Sequence, residues 1–125
     1  MKPSTLLIAL TLFALVGVAW AADTVAGIPL YPGSSSNNIE GAEKVLKDTG
    51  YKTAVCRHTA DDLSKVVAFY GKVKQLSPMG EPSKDNAAFA TADGASMSIN
   101  SPWVDMKTMK FNNGTMICIV HRSAK

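Results

Sequence analysis

The 125-residue chain contains no basic block, no Cys-x-x-Cys-His sequence and no glycine-flanked serine elbow. The first absence removes the electrostatic footprint expected of a nucleic-acid binder. The second removes the attachment point for c-type haem, and the third leaves no serine marked as a hydrolase nucleophile. Internal repeats and low-complexity tracts are also missing. Lysines and acids are interspersed, so charge points to no partner class.

Long apolar runs are scarce too, with one exception at the start. Met1-Lys2 is followed by Leu6 to Val18, apolar apart from Thr11 and with Gly17 near its end. The run covers about 13 residues, whereas a membrane-spanning helix needs about 20. Ala19-Trp20-Ala21 places small residues three before and one before a cut between Ala21 and Ala22. Residues 1–21 therefore read as a secretory signal peptide, the alternative being an uncleaved anchor. Ala22-Asp23 stands where a lipoprotein needs cysteine. The expected product is a periplasmic or secreted protein, free of the membrane once the signal is removed. Losing Lys2 with that segment takes the basic count from 13 to 12, against 10 acidic residues.

Residues 22–38 form an extended lead and linker. Pro29 and Pro32 fix φ and remove amide donors, which predicts extended chain ending in a turn at Pro32-Gly33. Ser34 to Asn38 reads as a flexible polar linker. Residues 39–125 are expected to form a single domain. Ile39, Ala42, Val45 and Leu46 recur at helical spacing, with Asn37 or Asn38 as N-cap and Gly50 at C′. Gly41 weakens that helix by about 1 kcal/mol relative to alanine.

Tyr51 to His58 reads as a strand. Thr59 with Asp62 makes a capping-box-like start for the main amphipathic helix, whose stripe is Leu63, Val66, Val67, Tyr70 and Val73. Pro78, Gly80 and Pro82 mark Ser77 to Asp85 as a loop. Asn86–Ala92 and Ala95–Ser101 flank Asp93-Gly94, a pair suited to a type I′ hairpin turn. Phe89, Met97 and Ile99 share one face of that hairpin, and Ser96, Ser98 and Asn100 the other. Trp103 to Phe111 reads as a loop or irregular edge. Thr115 to His121 is the last strand, apolar on both faces and so expected in mid-sheet, covered twice. The segment with Tyr31 and Ile39 to Leu46 is the available second cover. The fold expected is α+β: a four-stranded, mainly antiparallel sheet with one main amphipathic helix and a short second helix.

Ile28-Pro29-Leu30-Tyr31-Pro32-Gly33, the stretch from Thr59 to Tyr70, and Ser101-Pro102-Trp103 together resemble a group of small exported bacterial proteins of unassigned function. The resemblance spans most of the chain after the signal and implies a periplasmic home. It carries no catalytic residues over. Asn113-Gly114-Thr115 matches a glycosylation acceptor, which a bacterial source would leave idle.

Cys56 and Cys118 are the only cysteines, and an exported protein with two usually pairs them. The bridge would close about 63 residues and contribute about 4 kcal/mol in the chain-entropy account. It needs the first and last strands of the domain side by side. The alternative is two buried thiols acting as small hydrophobes. A metal site from Cys56, His58, Cys118 and His121 is a sharper alternative, but 118 and 121 point to opposite faces of a strand. Met106 and Met109 offer thioethers suited to Cu(I), or they fill an irregular edge. Trp103 and Tyr31 suit a partner surface or a lid over the core.

No cofactor is indicated by any of these residues. The leading expectation is a non-catalytic binding or accessory domain with an unidentified protein or small-molecule partner. The rivals are a copper or zinc handling protein and a small enzyme whose site assembles only in three dimensions.

Overall fold

The computed structural model describes residues 23–123, so the segment expected to be a signal peptide, with Ala21 and Ala22, lies outside the described residues. The elements run β1 (Thr24–Val25), β2 (Ile28–Pro29), α1 (Glu40–Asp48), β3 (Thr53–Thr59), α2 (Leu63–Tyr70) and β4 (Ser77–Pro78). They continue through β5 (Asn86–Ala90), β6 (Ser96–Asn100), β7 (Trp103–Asp105), β8 (Lys110–Asn112) and β9 (Thr115–His121). Among the described residues no helix is long and apolar enough to cross a membrane.

The fold is α+β, and the described residues place two helices on a main sheet of order β3-β9-β6-β5-β4 whose neighbours are all antiparallel. That sheet has five strands rather than four. The extra strand is Ser77–Pro78, which pairs with Ala90 and Phe89 inside what reads as a proline-marked loop. Pro78 has no amide to donate, and an edge strand tolerates that. A two-residue, proline-bearing edge also offers little template for a foreign strand.

β9 lies between β3 and β6, and side-chain alternation splits its two faces. Ile117 and Ile119 join Met97, Ile99, Phe89 and Ala87 beneath Leu63, Val66 and Tyr70 of α2. Cys118 joins Cys56, Ile39 and Trp103, with Ala42 and Leu46 of α1 and with Met116 packed around them. α1 therefore covers the second face. Tyr31 does not help it: this ring is buried on the α2 side with Ile28, edge-on to Phe69 at 5.3 Å between centroids. Val45 falls on the outer side of α1 and stays 49% exposed, leaving Ile39, Ala42 and Leu46 as the packed stripe.

Local details depart from the sequence pattern for identifiable reasons. Thr59 is the last residue of β3, so the cap of α2 is Asp62, whose Oδ1 accepts from the Lys65 amide at 3.0 Å. That bond holds the Asp62 carboxyl below its usual range. The helix stops at Tyr70, and Val73 packs on the core from the turn beyond it. Neither Asn37 nor Asn38 caps α1, which begins from Ile39 without a side-chain cap. Gly41 is explained by packing, because a Cβ there would meet the Met106 Cβ at 2.8 Å.

The lead is also more structured than extended chain. Ala26 and Gly27, with φ of 53° and 81°, turn β1 back onto β2, the double positive φ of a type I′ hairpin. Between β5 and β6 the turn differs from the I′ expectation. Gly94 has φ 100° and Asp93 is not in the positive region, while the Thr91 amide donates to Ala95 O at 2.9 Å. This is a three-residue loop with glycine at its left-handed position.

Candidate functional site

The residues around His58 form a cleft of about 580 Å³, within the span of about 300–1,000 Å³ usual for small-molecule sites. Three segments build it. The first is the polar stretch after Pro32-Gly33, expected to be a flexible linker. Here Ser35 bridges to the outer edge of β3: its amide donates to His58 O at 2.8 Å, and the His58 amide donates to Ser35 O at 2.9 Å. The Asn37 amide donates to Ser35 Oγ at 3.1 Å. These bonds bring Asn37 and Asn38 over the end of β3.

The second segment is the end of β3, where His58 and Thr59 reach the cleft. The third is the β7–β8 ribbon, in the stretch expected to be loop. Trp103 pairs with Asn112 and Asp105 with Lys110, so Trp103, Asp105 and Asn112 share a face while Val104 and Phe111 share the other. The first face lines the cleft; Phe111 on the second is 74% exposed. Asp105 is buried at 4% exposure and ties off the ribbon's turn: Oδ1 accepts from the amides of Lys107 at 2.8 Å and Thr108 at 3.3 Å.

The imidazole of His58 stacks on the indole of Trp103, with centroids 4.6 Å apart and planes inclined by 23°. His58 Nε2 lies 2.9 Å from the carbonyl oxygen of Asn37. A carbonyl can only accept, so Nε2 carries a proton and donates to it. Trp103 is 5% exposed, and its Nε1–H has no hydrogen-bond partner among the described residues. A buried donor left unmade costs about 1–3 kcal/mol and calls for an explanation.

The other sequence candidates are dispersed. Cys56 and Cys118 form a disulfide across directly opposed positions of β3 and β9. The Cys56 amide points outward, to Glu43 Oε2 of α1 at 2.8 Å, which makes this a non-hydrogen-bonded pair, the close register that suits a cross-strand bridge. In this state the two sulfurs are not thiolate ligands. His121 pairs with Thr53, five residues from His58 along β3 and thus about 17 Å away. Its Nδ1 accepts from the Ser123 amide at 3.0 Å, so Nε2 holds the proton and donates to Asp93 O at 3.1 Å, stapling the end of β9 to the β5–β6 loop. Met106 and Met109 lie on the β7–β8 turn, 40% and 70% exposed. Among the described residues no group of three or more His, Cys, Asp and Glu side chains is arranged to hold a metal ion.

Asp105, Asn37 and Asn112 were not legible as site residues. The alternation Trp103-Val104-Asp105 is the one signal available, since it puts an aromatic and a carboxylate on a common face of a short strand. In comparisons with known proteins the chain matches no family model, no curated protein and no solved structure.

Proposed function

We propose that the chain is an exported, non-catalytic binding domain that holds a small polar ligand in the cleft between the Ser35–Asn38 segment, the end of β3 and the β7–β8 ribbon. The cleft itself carries this assignment: three segments distant in sequence bring the stacked His58–Trp103 pair together with Asn37, Asn38 and Asn112 around one cavity. His58 serves as a positioning residue: its stacked ring fixes the indole, and its bond to Asn37 O fixes the linker.

Export is supported by the basic, apolar, small-residue order of residues 1–21. The Cys56–Cys118 bridge is compatible with an oxidising compartment. Fractionation of producing cells with intact-mass measurement tests the address: the expected product starts at Ala22 and is two hydrogens lighter than the dithiol. A cytoplasmic product retaining Leu6 through Val18 overturns it. For the cleft, the Trp103 Nε1–H resonance in a ¹⁵N–¹H spectrum is followed while a small-molecule library is added. The expected result is a saturable shift that His58→Ala weakens; ligands that bind without moving that resonance count against the site.

A further inference from the structure

We propose that the tip of the β7–β8 ribbon is a membrane-contact site that touches the interface of an anionic lipid bilayer, reversibly and independently of the cleft. Met106, Met109 and Phe111 are 40%, 70% and 74% exposed, three of the five large apolar side chains that the described residues leave in solvent. Lys107 and Lys110, both exposed, lie between them in sequence. Lone exposed apolar residues are ordinary. Several at one turn, interleaved with lysine, are the composition of an interfacial contact.

The backbone of the turn is prepared for water-poor surroundings. Asp105 Oδ1 accepts from the amides of Lys107 at 2.8 Å and Thr108 at 3.3 Å, and Asp105 O accepts from the Met109 amide at 2.7 Å. Three successive amides therefore need no water, and a loop entering the lipid interface must satisfy its donors from within. Met109 itself has φ 59°, in the left-handed region that favours glycine. The chain keeps a long apolar side chain at this strained position and leaves it 70% exposed, which fits a packing partner outside the chain.

Charge and shape select lipid as the occupant. Asp105 is the acidic residue of the ribbon, and it is buried at 4% exposure with two amides on its carboxylate. The exposed charges of the ribbon are thus both positive. α1, which Met106 meets at Gly41, carries Glu40, Glu43 and Asp48 against Lys44 and Lys47 and adds no net positive charge. Attraction to an anionic surface is therefore confined to the tip. Side chains 70% and 74% exposed stand out from the fold rather than line a groove. A rigid protein partner would need a matching pocket for each, whereas a bilayer interface yields around them. Two lysines and three apolar side chains give a reversible contact, not an anchor.

The test uses the disulfide-bonded protein prepared without residues 1–21, since Leu6 to Val18 would bind lipid by themselves. Phosphatidylcholine vesicles with about one third phosphatidylglycerol are compared with pure phosphatidylcholine vesicles in co-sedimentation. With ¹³C at the methionine methyls, a spin-labelled lipid reports which of them meet the bilayer. Met79, 56% exposed just after β4 at the opposite edge of the sheet from β3, is the internal control. The expected outcome is partition into the anionic vesicles that falls with salt and attenuates Met106 and Met109 but not Met79. Phe111→Ala should lower the partition coefficient roughly tenfold. Lys107→Gln and Lys110→Gln should each lower it about fivefold. Met109→Gly relieves the backbone strain, so it should weaken partition without lowering the melting temperature. Absence of partition into the anionic vesicles overturns the proposal, as does partition that Phe111→Ala leaves unchanged or that attenuates Met79 as strongly. Methionine signals that shift with protein concentration in the absence of lipid would assign the tip to a second copy of the chain and overturn it too.

Discussion

The phenol of Tyr31 donates to Asp61 Oδ2 across 2.6 Å, locking the lead to the turn between β3 and α2. Asp61 is held from two further sides. Its backbone carbonyl accepts from Thr115 Oγ1 at 2.7 Å, and Lys65 Nζ lies 3.8 Å from Oδ1. The lead is thus fastened to β9, to α2 and to the end of the strand that carries His58.

Alkaline pH should release that fastening. Burial, then the bond to Asp61, push the Tyr31 hydroxyl from 10.0 up to about 12. Below pH 10 the phenol is protonated in both folded and unfolded chains and its stabilisation is complete. Between pH 10 and about 12 the unfolded chain ionises first, so stability falls as pH rises. Tyr70, bonded to Pro29 O at 2.8 Å and also shifted upward by burial, adds to the same trend. Urea midpoints across this window should therefore drop more steeply for the wild type than for Tyr31→Phe, which should cost about 1 kcal/mol at neutral pH. Parallel slopes for the two proteins would refute the assignment.

Glu43 protects the outer edge of the sheet. Its Oε2 accepts the Cys56 amide, while Ser35 pairs the amide and carbonyl of His58 next along that edge. Glu43→Ala should lose about 1–2 kcal/mol, because it strands a partly buried N–H, and Glu43→Gln should recover most of it by keeping an acceptor. Hydrogen exchange at the Cys56 amide is the direct check. It should accelerate in Glu43→Ala and stay near wild type in Glu43→Gln.

Short-range patterns were readable where the period was clean. Phe89, Met97 and Ile99 alternate with polar or small residues, so the face their hairpin buries followed from the chain alone, while β9, apolar on both faces, announced a strand covered twice. The adjacency of the first and last strands of the domain followed from the expected bridge, whereas the direct opposition of Cys56 and Cys118 is a matter of register that only the fold supplies. Proline hid β4, whose two residues carry no periodic signal. The β7–β8 ribbon was hidden by its length of three residues per strand. His58 and Trp103 each stood out by type, yet their stacking depends on a ribbon that sequence spacing does not place. Asp105 and Asn37 act through a turn and a backbone carbonyl, features that exist only once the chain has folded.

Close approach makes Gly114 irreplaceable. It sits at φ 96° just before β9, and a Cβ there would run into the Thr59 carbonyl oxygen, with Thr59 C and Ala60 Cα at 3.2 Å. All of these are backbone atoms of the β3 end, so nothing can swing aside. Gly33→Ala makes the matched control, because its positive φ of 75° carries the same backbone strain with nothing within 4 Å of the new methyl. Thermal melts should show Gly33→Ala down by about 1–2 kcal/mol. Gly114→Ala should be down by clearly more, above the roughly 3 kcal/mol that marks a severe single change. Equal losses would mean that strain alone matters at both sites.

Trp103 makes the disulfide observable. The chain has two tryptophans, Trp20 in the segment expected to be a signal peptide and Trp103 packed in one cluster with Cys56 and Cys118. A disulfide beside an indole quenches its emission, so protein prepared without residues 1–21 should be weakly fluorescent when oxidised and should brighten on reduction. Cys56→Ser with Cys118→Ser should reproduce the brightening without reductant. It should also lower stability by about 4 kcal/mol, the loop-closure contribution of a bridge spanning 62 residues of sequence separation. The same loss should loosen the indole against His58 and broaden the Trp103 Nε1–H resonance, because the cluster under the ring then has two unlinked strands. Unchanged emission on reduction, with the bridge confirmed open by mass, would mean that the sulfurs and the indole are not packed together and that the cleft lacks the rigid support described here.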